Sequence, residues 1–190
     1  VARKGARFDG HDFLPEVVAA GAVLVVGARE VVPVELLGGT PYLRVANDRV
    51  AVARLAAALH RWPSRKLRVI GVTGTDGKTT TSTLAWWLLQ ATGPAALFST
   101  AQARIGLAEA PLSGHFTTPE ADVVQRFLSD ALEAAAGRVV LESSSHGLAL
   151  HRLDEVAYDL AVWTNLTPEH LDFHGSFEAY REAKLSLVRR

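Results

Sequence analysis

The stretch that most constrains the fold is residues 67–82, LRVIGVTGTDGKTTTS, where an apolar strand-like run passes through two glycines into Gly-Lys-Thr and a helix-like pattern. That order sets a turn's backbone N–H groups at the positive end of a helix dipole, which suits a polyphosphate. The strict Walker A spacing asks for glycine five positions before the Gly of the Gly-Lys pair, and Val72 stands there instead. What remains is a shorter turn, Gly74-Thr75-Asp76-Gly77-Lys78-Thr79, followed by Thr80. We read residues 74–80 as a nucleotide-binding loop, with Lys78 against the β- and γ-phosphates and the Thr79 hydroxyl placed to ligate Mg²⁺. A glycine-rich turn with a solvated lysine is the blander alternative. It leaves the ordered series of strand, paired glycines, Gly-Lys-Thr and helix unexplained.

Short apolar runs alternate with helix-like segments along the chain, which argues for α/β units with a mainly parallel sheet. The first part reads as a helix near DFLPEVVAAG, strands at AVLVV and YLRVA, and a helix over NDRVAVARLAAALHRWP. In that helix Val52, Leu55, Ala56 and Leu59 recur at helical spacing, with Asn47 or Asp48 as cap and Pro63 beyond the end. Residues 63–66, PSRK, read as a linker, so the boundary is expected near residue 65. The second series is expected as strand 67–73, helix 79–91, strand 95–99, helix 119–135, strands 138–142 and 159–163, and helix 176–189.

Lysine plus arginine (20) balance aspartate plus glutamate (20), so no global field draws the chain to nucleic acid or an anionic membrane. With 48% hydrophobic residues in 190, a substantial core is expected. There is no cysteine, which excludes disulfides and thiolate metal sites and fits a cytoplasmic setting. No apolar run reaches the length of a membrane span, and no leader pattern is visible. The chain has no methionine and stops at LSLVRR in mid-pattern, so both ends are expected to be cut.

Four further places carry chemistry. Glu142 ends the apolar strand before SSSHGL, where ligands of open α/β sheets gather, and reads either as a metal carboxylate or as a solvated acid. His170, Asp172 and His174 crowd the loop TPEHLDFHG. No third strong ligand accompanies the histidines and zinc is not expected, leaving His170 as a surface group or a contact to another metal. Lys184 falls on the apolar stripe of Phe177, Tyr180, Leu187 and Val188, where it either snorkels or carries a depressed pKa. In GHFTTPEADVV, Thr118 reads as a helix cap with Pro119 at the first helical position, which leaves Thr117 spare for an anionic substrate.

Together these segments resemble the Mur ligase family, and within it the MurE branch. The resemblance rests on FDGHDF (8–13), GVTGTDGKTTT (71–81), TTP (117–119), LESSSHGLALHRL (141–153) and TNLTPEHLDFHGSFEAYREAK (164–184). The glycine turn alone would also fit folylpolyglutamate synthetase or another cell-wall ligase. A nucleotide-binding module without turnover is a third reading.

The resemblance implies an α/β fold with a partial Rossmann-like N-terminal domain binding UDP-MurNAc (1–64), then part of a P-loop-type, mainly parallel ATPase domain (65–190), the C-terminal amino-acid-binding domain being absent. It implies a cytoplasmic, monomeric ligase that uses ATP and Mg²⁺ to add a diamino acid to UDP-MurNAc-L-Ala-D-Glu through an acyl phosphate. This stretch alone is expected to be inactive. Lys78, Glu142, His170 and Lys184 are its implied catalytic residues. Thr79, Glu142, His170 and Lys184, the last as a carbamate, are its implied metal ligands. Thr117, Thr118, Ser144 and Arg152 match positions that contact the UDP-MurNAc-dipeptide. The sequence departs from the family at Asp76, where asparagine is usual, at Leu150 in place of a glutamine that contacts the nucleotide sugar, and at Ser143 in place of valine.

Overall fold

A computed structural model describes residues 1–5, 8–111 and 117–189. The chain divides into two compact units, Val1–Leu55 and Ala56–Arg190.

In the first unit a 3₁₀ turn, Gly10–Phe13, leads into α1 (Leu14–Ala19), and β1 (Val25–Gly27) pairs in parallel with β2 (Tyr42–Arg44). Its core gathers Ala2, Leu14, Val25 and Leu37. The strand expected over AVLVV starts late because Val23 and Leu24 are exposed. His11, 2% exposed, is held between Asp9 Oδ1 at 2.7 Å and the Tyr42 hydroxyl at 3.0 Å. His11 and Arg29 together hold the Asp9 carboxyl down at about 2. Gly27 admits this packing, since a Cβ there would lie 2.5 Å from Tyr42 Oη and 2.6 Å from His11 Nε2.

The division between units falls inside α2 (Asp48–Leu59), whose first turn is capped by Asn47 Oδ1 accepting from the N–H groups of Arg49 and Val50. Its buried positions are Ala53, Ala56 and Ala57, while the expected Leu55 and Leu59 are exposed. The segment read as a linker is a packed 3₁₀ turn, Pro63–Lys66. Ser64 Oγ donates to the Glu155 carbonyl (3.3 Å) and accepts from Ala157 N (3.1 Å), which ties this turn into the second unit.

The second unit is a six-stranded sheet in the order β6-β5-β4-β7-β3-β8. It comprises β3 (Arg68–Thr73), β4 (Ala95–Phe98), β5 (Ala103–Ile105), β6 (Ala108–Ala110), β7 (Arg138–Glu142) and β8 (Leu160–Trp163). β4, β7, β3 and β8 run parallel, and β5–β6 form an antiparallel hairpin on one edge. That hairpin escapes the sequence reading because its strands are only three residues each, Ala-Arg-Ile and Ala-Glu-Ala, too short to show an apolar run or an alternation.

Side chains alternate across the sheet, as pleating requires. Val69, Val139, Leu141, Ala96 and Phe98 share one core with Phe127 and Leu128 of α4 (Ala121–Glu133). Val72, Val140, Ala95 and Leu97 pack on the other with Trp86 of α3 (Lys78–Gln90). Three shorter helices complete the unit: α5 (Ser145–Ala149), α6 (Leu171–His174) and α7 (Phe177–Val188). The register Val72↔Glu142 and Thr73↔Trp163 brings the carboxyl ends of β3, β7 and β8 to one level. The chain leaves β3 through α3 for β4 on one side and later returns to β8 on the other, so β3 is the switch point at which open sheets bind ligands.

Candidate active site

The turn after β3 occupies that switch point. Gly74 has φ +149° and Gly77 φ +78°, values that favour glycine. Gly77 is the cap residue of α3, and no side chain caps that helix end. The first N–H groups of α3, from Lys78, Thr79 and Thr80, therefore have no partner in the helix ladder and can receive an anion. Thr75 is buried, with its hydroxyl 3.0 Å from the Thr167 carbonyl and 2.9 Å from the Tyr180 hydroxyl. Asp76 is exposed. Lys78 Nζ donates to the Thr75 carbonyl at 2.7 Å.

Beside this turn the Glu142 carboxylate, 3% exposed, accepts from the Thr79 hydroxyl at 3.1 and 3.0 Å. Thr100 completes the grip, its N–H 2.9 Å from Oε2 and its hydroxyl 3.1 Å from Oε1. Sequence reasoning missed Thr100. The available signal was its place two residues past the end of β4, the same carboxyl end of the parallel strands that Glu142 and Gly74 occupy. A hydroxyl and a carboxylate next to an open helix N-terminus form a hard-oxygen set that suits Mg²⁺ completed by phosphate and water. Among the described residues no three His, Asp or Glu side chains could hold a metal by themselves.

A neighbouring cavity of about 340 Å³ collects Lys78, Thr117, Thr118, Ser144, Arg152, His170 and Lys184 in its lining. Thr118 does not cap α4 as the sequence suggests, and Pro119 is not its first residue. The helix begins at Ala121 after Glu120. The Thr118 hydroxyl is engaged elsewhere: it donates to the Glu142 carbonyl (3.2 Å) and accepts from Ser144 N (3.0 Å) and Oγ (2.9 Å). Arg152 Nη1 donates to the Thr118 carbonyl at 2.9 Å and its Nη2 pairs with Glu120 at 2.8 Å. Ser144 also caps α5 by accepting from Gly147 N at 3.1 Å. The floor of the cavity is thus bonded to the main chain of Glu142. Residues 112–116, which include the Gly-His-Phe of the motif, lie outside the described residues.

His170 sits at a left-handed backbone position (φ +54°), exposed, with its ring 4.6 Å from that of His146 and Nε2 3.5 Å from Glu169. Lys184 is 1% exposed on α7. Its ammonium lies 4.6 Å from the centre of the Tyr180 ring and donates to the Gly74 carbonyl. Burial, and then the nearby Lys78 charge, push its pKa down to about 8. Snorkelling is excluded, although Val188, assigned to the same stripe, is exposed.

The family profile described as the Mur ligase middle domain matches residues 72–190. The UDP-N-acetylmuramyl-tripeptide synthetase of Deinococcus radiodurans is 50% identical, with 100% of this chain aligned to 39% of that protein. The UDP-N-acetylmuramoyl-L-alanyl-D-glutamate--2,6-diaminopimelate ligase of Chlamydia felis is 40% identical over 98% of this chain and 38% of its own. A solved UDP-N-acetylmuramoyl-L-alanyl-D-glutamate--2,6-diaminopimelate ligase superposes with a TM-score of 0.76 at 33% identity, covering 94% of this chain and 35% of that one. The MurF ligase of Thermotoga maritima, solved with ADP, reaches 0.59 at 27% identity, covering 98% of this chain and 39% of its own. The chain thus spans under two fifths of the length of these relatives.

Proposed function

The chain belongs to the Mur ligase family, and from that premise we propose that it carries the nucleotide and metal centre of a MurE-type ligase. In the whole protein this centre serves ATP-dependent addition of a diamino acid to UDP-MurNAc-L-Ala-D-Glu in the cytoplasm. The observation that carries the reading is the Thr79 hydroxyl on the buried Glu142 carboxylate, at the open N-terminus of α3 and against a cavity walled by Lys78 and Lys184. Tight relatives and an ADP-bound neighbour support it.

In this reading the N–H groups opening α3 and the Lys78 ammonium hold the β- and γ-phosphates of ATP. Lys78 leaves the Thr75 carbonyl to do so. Thr79 and Glu142 hold Mg²⁺, which supplies charge neutralisation on the phosphates. Thr117, Thr118, Ser144 and Arg152 orient the substrate so that its carboxylate oxygen attacks the γ-phosphorus as ADP leaves. The incoming amine then attacks the acyl carbon and gives up a proton to solvent, and inorganic phosphate departs with the former carboxylate oxygen. Lys184 joins as a carbamate: its neutral amine takes up CO₂ and loses a proton, which gives an anion that, with His170, would hold a second cation. Its depressed pKa supplies the neutral amine this step needs. Leu150, on the cavity wall, offers no hydrogen bond to the nucleotide sugar.

The test is product formation by the full-length protein from ATP, UDP-MurNAc-L-Ala-D-Glu and lysine, ornithine or diaminopimelate, followed by phosphate release. One diamino acid should give tripeptide product. Failure with all three, under conditions where ADP binds, would overturn the substrate assignment.

A further inference from the structure

The phosphate turn is held from one side by the residues that follow β8. The N–H and hydroxyl of Thr164 both donate to the Thr73 carbonyl, at 3.0 and 3.3 Å, and the hydroxyl also reaches the Asp76 carbonyl at 2.7 Å. Asn165 Oδ1 accepts the N–H groups of Thr75 (3.1 Å, shared with the Asn165 main-chain carbonyl, also at 3.1 Å) and Asp76 (2.9 Å), while its Nδ2 donates to the Asp76 carbonyl (3.2 Å). Two residues on, Thr167 N donates to the Thr75 hydroxyl at 2.9 Å. The contact is closed: a Cβ on Gly74 would come 1.8 Å from Thr164 Oγ1 and 3.2 Å from Asn165 N. Asn165 therefore has both ends of its amide engaged on the turn, with oxygen to two donors and nitrogen to one acceptor, an arrangement that only a carboxamide satisfies.

We propose that Asn165, supported by Thr164, is a positioning residue for nucleotide binding. Its amide withdraws the N–H of Asp76 from the anion, shares that of Thr75 with the Asn165 main-chain carbonyl, and turns the Asp76 carbonyl inward, so that phosphate meets the N–H groups of the first turn of α3. This rests on the nucleotide reading of the turn given above. The same segment continues to Glu169 and His170 on the cavity wall, so one support sets both the phosphate end and the substrate end of the site.

The experiment is titration of this chain with a fluorescent ADP analogue and Mg²⁺, comparing the wild type with Lys78→Ala, Asn165→Ala, Asn165→Asp and Thr164→Val, each with a thermal unfolding curve. Loss of one or two of these bonds should weaken binding about tenfold in Asn165→Ala and about threefold in Thr164→Val. Asn165→Asp keeps the shape and the acceptor but loses the donor and brings a negative charge toward phosphate. It should bind more weakly than Asn165→Ala, and the gap between them should narrow at high salt. A merely structural role predicts the reverse order, since the isosteric variant would be the milder one. If wild type binds and Lys78→Ala weakens it, while Asn165→Ala and Thr164→Val stay within twofold of wild type, this inference fails alone. Should Asn165→Ala not fold, Thr164→Val and Asn165→Asp decide the matter. A wild type that never saturates would overturn the nucleotide reading and this inference together.

Discussion

Replacing Lys184 by methionine separates the cost of burying an ammonium from its use. The side chain is 1% exposed and its pKa falls from the usual 10.5 to about 8. Such a difference puts the penalty on the charged form on the order of 3 kcal/mol at pH 7. The sign follows from proton binding. Between pH 8 and 10.5 the unfolded chain holds this proton more often than the folded one, so the penalty is whole below pH 8 and fades as pH rises through that window. Lys184→Met keeps the apolar stem and removes the charge. It also forfeits the bond to the Gly74 carbonyl and the contact over Tyr180, together about 2 kcal/mol. The variant should therefore match or exceed wild type in stability at pH 7 and lose about 2 kcal/mol relative to it by pH 9.5. Urea unfolding of both proteins in bicarbonate-free buffer at pH 7.0, 8.25 and 9.5 measures the difference, with other titrations cancelling between them. A difference constant with pH would show that Lys184 is not a desolvated ammonium, and the argument for its reactive amine would fall with it.

Three further perturbations test neighbouring parts. Thr100→Val leaves the N–H to Glu142 but removes the hydroxyl, which should cost about 1.5 kcal/mol in urea unfolding and weaken Mg²⁺-dependent ADP binding severalfold; unchanged Mg²⁺ dependence would count against Thr100 as a support for the carboxylate. Gly27→Ala drives a methyl against Tyr42, His11 and the Ala2 carbonyl, and should destabilise the first unit by about 2–3 kcal/mol in urea unfolding, unlike the unobstructed Gly137→Ala. Asp9→Asn removes a carboxylate whose pKa is lowered to about 2 by bonds from His11 and then Arg29. Its native stabilisation is present above pH 4 and lost as pH falls toward 2, so the gap between variant and wild type in urea unfolding should be open at pH 6 and narrow by pH 3.

Local patterns made the strand, turn and helix of the candidate site legible, because they are contiguous and each has its own sequence signature. Lys184 was legible for a related reason: a charge on an apolar helical stripe is a conflict that sequence alone exposes. What escaped was set by long-range contact. Thr100 reaches Glu142 across 42 residues, and Asn165 reaches Thr75 across 90, so neither partnership has a periodicity to betray it. Thr118 was misread for the complementary reason. A threonine before a proline is a plausible cap, but the carbonyl of Glu142 and the hydroxyl of Ser144 compete for the same oxygen and win. Likewise PSRK has linker composition, yet Ser64 spends its hydroxyl on the main chain near Glu155.

The bonding of the turn explains why so short a glycine loop can present itself to a polyanion. Every carbonyl from Thr73 to Gly77 is drawn into the protein: Thr73 by Thr164, Gly74 by Lys184, Thr75 by Lys78, Asp76 by Thr164 and Asn165, and Gly77 by the N–H of Thr81. A carbonyl left facing outward would repel phosphate, and at a helix start it would offset the dipole. Two of the five inward donors are lysines, and they differ in what they can do next. Lys78 lies half-buried at the cavity and can swing to an incoming phosphate. Lys184 is buried at the cavity wall, so its partner carbonyl stays masked while burial, and then the Lys78 charge, weaken its hold on a proton. The exposed Asp76 side chain then becomes the one negative group on the turn, and Asp76→Asn should tighten ADP binding at low salt by a few-fold and leave it unchanged at high salt. Equal affinities at low salt would mean that the carboxylate points away from the anion, and that the inward bonding of the carbonyls alone sets the field that phosphate meets.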